Sequence, residues 1–204
     1  MGLFSSILRF GIQNGKKNLA DVTALVLPEP PSIGFHSIEI HSNVDLDVHF
    51  GAEQPTFKIL SSKEEKDCIA VAYEYDENVL KLRVQSKSEK IHGVLKLGMQ
   101  RLDRAVFNAE NADVTVKKAS VENLEVSSRN GDIFVSIEEA DEIYAETTAG
   151  NIAIKIKSND FKIETKSENG DVTLVGVASK KKSGRKITCK SQDGDILIEK
   201  RQKE

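Results

Sequence analysis

Five residues with side-chain oxygens recur at a nearly fixed interval: Asp113, Asp132, Asn151, Asp171 and Asp195, spaced 19, 19, 20 and 24 apart. Oxygens in such a column are raw material for a hard cation such as Ca²⁺, which takes about six to eight oxygen ligands. The calcium-binding β-helix repeat is a shorter, glycine-rich nonapeptide, however, and that pattern is absent. Here each member follows a small residue, in Asn111-Ala112-Asp113, Asn130-Gly131-Asp132, Ala149-Gly150-Asn151, Asn169-Gly170-Asp171 and Asp193-Gly194-Asp195. Asn and Asp beside a glycine bond local backbone groups and tolerate unusual backbone conformations. The expectation is therefore a set of structural turns at Gly131, Gly150, Gly170, Gly194, Asp132, Asn151, Asp171 and Asp195, holding no metal.

Other reactive side chains are sparse. His36, His41, His49 and His92 make no zinc-type spacing with a cysteine. Cys68 and Cys189 are far apart and read as two reduced thiols. Cys189, between Thr188 and Lys190, falls in an inward column, as a small buried hydrophobe rather than a nucleophile. No G-x-S-x-G, P-loop or G-x-G-x-x-G is present, so neither catalytic residues nor a cofactor is expected. Lys180, Lys181, Lys182, Arg185 and Lys186 form the densest positive patch, a candidate contact for an anionic partner. Charge runs in loops are more often simply solvated.

The elements that position these residues follow from the flanks of each turn. Two and four residues after each centre stand Val114 and Val116, Ile133 and Val135, Ile152 and Ile154, Val172 and Leu174, Ile196 and Ile198. Seven before it stand Ala105, Leu124, Ile143, Ile163 and Ile187; five before, Phe107, Val126, Ala145, Thr165 and Cys189. Three before, the column is Ala109, Ser128, Thr147, Ser167 and Ser191. Spacing by two marks strands with one buried face, and Glu125, Glu146, Glu164 and Lys190 mark the other. An antiparallel meander could use the same turns, but it needs no likeness at a fixed repeat offset. Stacked coils do. Parallel stacking predicts that Gly131, Gly150 and Gly170 line up along one edge with φ > 0. It also predicts that the aliphatic residues from Ile133 to Ile198 share one core.

Ser37 to Val48 imitates the same scheme as a divergent first coil, and Ile69–Tyr75 with Leu80–Val84 reads as a hairpin turning at Asp76-Glu77-Asn78. Three segments result: 1–34, with Leu3, Phe4, Ile7, Leu8 and Ile12 as an apolar helical stripe able to cap the first coil; 35–98, the divergent coil and hairpin; and 99–204, the repeats. Residues 35–204 read as one continuous domain. Val177 to Ser183 is an insertion that lengthens the last spacing. A net charge of −3, 5% aromatics and no Trp argue against nucleic acid as the main partner. With no export signal or transmembrane stretch visible, the expected location is cytoplasmic, with residues 1–17 as a candidate membrane-surface contact.

The opening IEIHSNVDLDVHFG (Ile38 to Gly51) and the N-G-D turns resemble the bacterial putative-adhesin family of β-strand-repeat domains, related to the head GIN domain. The resemblance covers about Ile38 to Ile198. It implies an all-β, parallel, right-handed β-solenoid (β-helix) of about 19–24-residue coils, and it brings no catalytic residues. The expected function is a non-enzymatic scaffold or binding module with a protein or glycan partner. The alternatives are a peripheral membrane-associated envelope or stress-response accessory, and a polysaccharide-active β-helix enzyme.

Overall fold

A computed structural model describes residues 6–9, 20–26, 35–52, 56–61, 69–76, 78–87, 92–97 and 101–201. Among them it has only β-strands as regular structure, in two sheets that turn one face each to a single aliphatic core. The first sheet takes β1 (Ser6–Arg9), β6 (Ile69–Asp76), β7 (Val79–Ser86), β3 (Ser37–Ser42), β9 (Leu102–Ala109), the second half of β10 (Val114–Asn130), β12 (Glu142–Ala149), β16 (Lys186–Asp193) and β14 (Lys162–Ser167), in that spatial order. The second takes β2 (Ala20–Val26), β5 (Thr56–Ser61), β8 (His92–Lys96), β4 (Asp45–His49), the first half of β10, β11 (Ile133–Glu139), β13 (Ile152–Ile156), β17 (Ile196–Lys200) and β15 (Val172–Val175).

From β7 and β8 onward every neighbour is parallel, which makes the body a β-solenoid. The register follows the sequence columns. Leu124 pairs with Ile143 and Ile143 with Ile187, while Ile133 pairs with Ile152 and Ile152 with Ile196. Side chains alternate across a strand, so one residue of slip would turn the aliphatic face to water. β10 serves both sheets because it bends between them, with register shifts after Val116 and Lys118 at φ 56°. β6 and β7 form the expected antiparallel hairpin, Asp76 opposite Val79.

Coil order departs from chain order at both ends. β14 and β15 do not stack on β12 and β13; the later strands β16 and β17 lie between them. Gly170 therefore follows Gly194 in space, rather than Gly150. At the other end β7 and β8 lie outside β3 and β4. A consequence is that Val172 and Leu174 are 43% and 42% exposed, against at most 1% for Ile133, Ile152 and Ile196. Their expected place in the core is corrected: they sit on the terminal coil, with a neighbour on one side only.

The apolar stripe of residues 3–12 lies partly outside the described residues. Its centre, Ser6–Arg9, is a strand and not a helix, paired antiparallel with β6 from Ser6 opposite Tyr73 to Arg9 opposite Ala70. Taking up β6's open edge satisfies backbone groups that a helix there would leave unpaired.

Candidate functional site

The turn residues build three ladders along one corner of the solenoid. The glycines stack in the order Gly131, Gly150, Gly194, Gly170. A Cβ on each would collide with the backbone carbonyl of the corner beneath: Ala112 for Gly131, Gly131 for Gly150, Gly150 for Gly194, Gly194 for Gly170. Positive φ occurs in this column only at Gly150, at 149°. The expected φ > 0 at Gly131 and Gly170 is thus corrected. Close approach of stacked backbones excludes a side chain there.

The hydroxyl column closes the same corner. Ser128 Oγ donates to Ala112 O at 2.9 Å, Thr147 Oγ1 to Gly131 O at 3.1 Å, Ser191 Oγ to Gly150 O at 3.1 Å and Ser167 Oγ to Gly194 O at 2.9 Å. The acidic column forms the third ladder. Each side-chain oxygen accepts the backbone N–H of its neighbour, Asp45 from Asp113, Asp113 from Asp132, Asp132 from Asn151, Asn151 from Asp195 and Asp195 from Asp171, at 2.7–2.9 Å. These side-chain oxygens receive N–H groups that a parallel coil cannot pair through backbone alone at a corner. Among the described residues no group of three or more His, Cys, Asp or Glu is placed to share a metal ion.

The basic cluster divides. Arg185 donates from Nε to Ala140 O at 2.7 Å and lies 4.2 Å over the Phe161 ring, stitching the loop to the opposite corner. Lys186 Nζ meets Glu164 at 2.8 Å and Lys180 Nζ meets Asp160 at 3.4 Å. Lys181 and Lys182 are exposed at a turn. Only these last two remain for an anion. Cys189 is fully buried, and burial pushes its thiol up to about 12, so it holds no thiolate for chemistry at neutral pH. Cys68 lies outside the described residues.

Among the described residues three carboxylates leave the usual range, all downward. Burial raises Asp47 but bonds to His49 and Lys117 outweigh it; Lys157 holds Glu138 down; Lys162 and then Lys186 hold Glu164 at about 2. A general acid for glycoside cleavage needs the opposite shift.

Among the described residues two adjoining concave patches lie elsewhere, on the outer face of the first sheet, and the repeat pattern does not mark them. Arg83, His41 and Asn108 are register partners on β7, β3 and β9. Around them runs a groove of about 240 Å³ lined also by Asn43, Gln85 and Glu110, adjoining one of about 350 Å³ with Glu39, Glu74 and Lys81. Lys81 is paired with Asp76 at 2.7 Å, and His41 Nε2 lies 2.8 Å from Glu39. Arg83 has no carboxylate partner among the described residues. Asn108 accepts Ser127 Oγ at 2.6 Å through its carbonyl oxygen, which leaves its NH₂ as a donor. An uncommitted guanidinium beside amide donors is a receptor for a carboxylate. Arg83 sits in the irregular coil outside β3, so only the pairing of β7 with β3 could have drawn attention to it.

Among solved structures, a putative cell adhesion protein from Clostridium sporogenes is similar over 98% of this chain and 100% of its own, at 14% identity and a TM-score of 0.65. A putative adhesin from Bacteroides fragilis aligns over 98% and 97% at 12% identity with a TM-score of 0.38. The first likeness shows the fold, and the second is too distant to carry an argument. No curated protein matches the sequence. The model of one family matches residues 35–204, most of the chain and all of the stacked coils: the chain belongs to the Toastrack DUF4097 family.

Proposed function

We propose that the chain is a non-enzymatic binding scaffold, adhesin-like in the sense that a rigid solenoid displays a ligand-binding surface. The observation that carries this reading is the fate of the repeated polar residues. The corner hydroxyls and the side-chain oxygens of Asp45, Asp113, Asp132, Asn151 and Asp195 are spent on backbone groups, and the carboxylates with shifted acidity are held ionised by cations. None of those three is poised near neutral pH, where a general acid or base works best. The free recognition chemistry is on the outer face, where Arg83 with Asn108 and Gln85 suits a ligand carboxylate.

The test is binding of the full chain to immobilised uronic-acid oligosaccharides and to acidic peptides, each beside a neutral counterpart. Binding to one acidic series, reduced at least about tenfold by Arg83→Ala with melting unchanged, is the expected result; removing a charged hydrogen-bond partner carries this order of effect. The series that binds identifies the ligand's class. Equal binding of acidic and neutral probes, or indifference to Arg83→Ala, would overturn the groove reading.

A further inference from the structure

We propose that two copies of this chain join end to end through the terminal coil, the stretch from Thr165 to Val175 meeting the partner's same stretch antiparallel about a twofold axis near Ser167 and Thr173. Val172, Leu174 and Val175 are the exposed large hydrophobic residues among the described part of the molecule, at 43%, 42% and 48%. They are consecutive in the fold and all lie on this end. Among the described residues β14 and β15 each pair with a strand on one side only, β16 and β17 respectively. The outer edge thus combines unpaired backbone groups with apolar side chains, the combination that edge strands ordinarily avoid.

The returning loop blocks part of this edge and leaves the rest. Ser179 Oγ accepts the N–H of Ile163 at 2.8 Å and donates to its carbonyl at 3.2 Å, and Lys180 N–H bonds Phe161 O at 2.8 Å. Because Ile163 points its backbone groups outward, so do Thr165 and Ser167. Glu168 N–H, by contrast, bonds back to Ser191 O. The open stretch therefore runs from Thr165 round the corner to Val175.

Charge selects the occupant. Outward along β14 and its end stand Lys162, Glu164, Lys166 and Glu168, an alternation that reverses sign when read backward. Within one chain Lys166 Nζ meets Glu168 at 2.7 Å, and a second copy running antiparallel and centred on Ser167 sets this pair against its partner's, Lys166 facing Glu168 twice. The same twofold axis, crossing β15 near Thr173, brings Val172 against its partner's Leu174. Shifting the centre by one residue would put Lys166 against Lys166. The surface is thus its own complement in charge and in apolar character, which is the requirement of an isologous interface. Such pairing closes the edge and limits the assembly to two copies.

The experiment is sedimentation of the full chain over a wide concentration range. Wild type is expected to form a reversible dimer. Leu174→Lys, at a position exposed in the single chain, is expected to sediment as monomer with unchanged melting at low concentration. Lys166→Glu is expected to weaken the dimer by about tenfold or more, as like charges across an interface do. The double variant Lys166→Glu/Glu168→Lys restores it, because the facing signs are again opposite. A wild type that stays monomeric at every concentration would overturn the proposal. So would a dimer indifferent to Leu174→Lys, or a double variant no better than the single. Monomers that instead capture an extended peptide at β15 would assign the edge to another protein's strand and equally end the dimer reading.

Discussion

At Gly131 the constraint is the carbonyl of Ala112 directly beneath, and it acts although the glycine's own φ is unexceptional. Gly131→Ala is therefore expected to destabilise by roughly 1–3 kcal/mol, the usual cost of forcing extra volume into packed surroundings. Glu146→Ala, one coil on and facing water, should cost less than about 0.5 kcal/mol. Urea denaturation of the two variants checks the pair, and equal stabilities would remove the contact as the reason for glycine. The repeat made the need for glycine legible, since the same residue type returned at each turn. The reason was not legible, because positive φ and close approach select the same residue. Only the distance between coils separates them. The Ser/Thr column was visible too, but its role was not. A hydroxyl facing inward among aliphatics has to find an acceptor, and that acceptor is the carbonyl which the missing Cβ leaves accessible.

Among the elements, β14 and β15 depend on strands that come after them in the chain. Ending the chain at residue 185 removes β16 and β17 and with them every strand partner of residues 162–175. That stretch should then exchange its amide hydrogens at the rate of an unstructured peptide, while β12 and β13 keep their protection. Protection persisting in residues 162–175 would mean they can stack directly on β12 and β13. Acid loosens the same coil by another route. Lys162 and Lys186 hold Glu164 at about 2, below its usual 4.5. A carboxylate with a lowered folded value contributes in full above the unfolded value, and the contribution fades as pH falls from about 4.5 through about 2. Exchange at β14 should accelerate over that window before β12 is affected, and Glu164→Gln should abolish the difference. The offset of 24 between the last two turns did signal an insertion. Its meaning, a return across the terminal coil, could not be read from it. Stacking order depends on which coil fills a gap, and the column residues are nearly alike in every coil: Ile163 and Ile187 are interchangeable as letters.

Across the whole molecule, stability should fall along the solenoid axis toward the terminal coil rather than along the chain. Each coil contacts only its neighbours, so a side chain's contribution depends on whether it has one neighbouring coil or two. The row Val114, Ile133, Ile152, Ile196, Val172 makes the comparison within one column. The first four are at most 1% exposed, and the last is 43% exposed. Ile152→Ala and Ile196→Ala remove buried methyl groups between two coils and should each cost about 2–5 kcal/mol. Val172→Ala, measured at dilution where single chains prevail, removes fewer methyl groups that already meet water, and should cost less than about 1 kcal/mol. A gradient set by chain position would instead weaken Ile196, eight residues from the C-terminus. A gradient set by coil position weakens Val172, although 32 residues follow it. Chemical denaturation of the three variants separates these directly. If Ile196→Ala proved as mild as Val172→Ala, then β17 would not lie between β13 and β15, and the out-of-sequence coil order would fail with it.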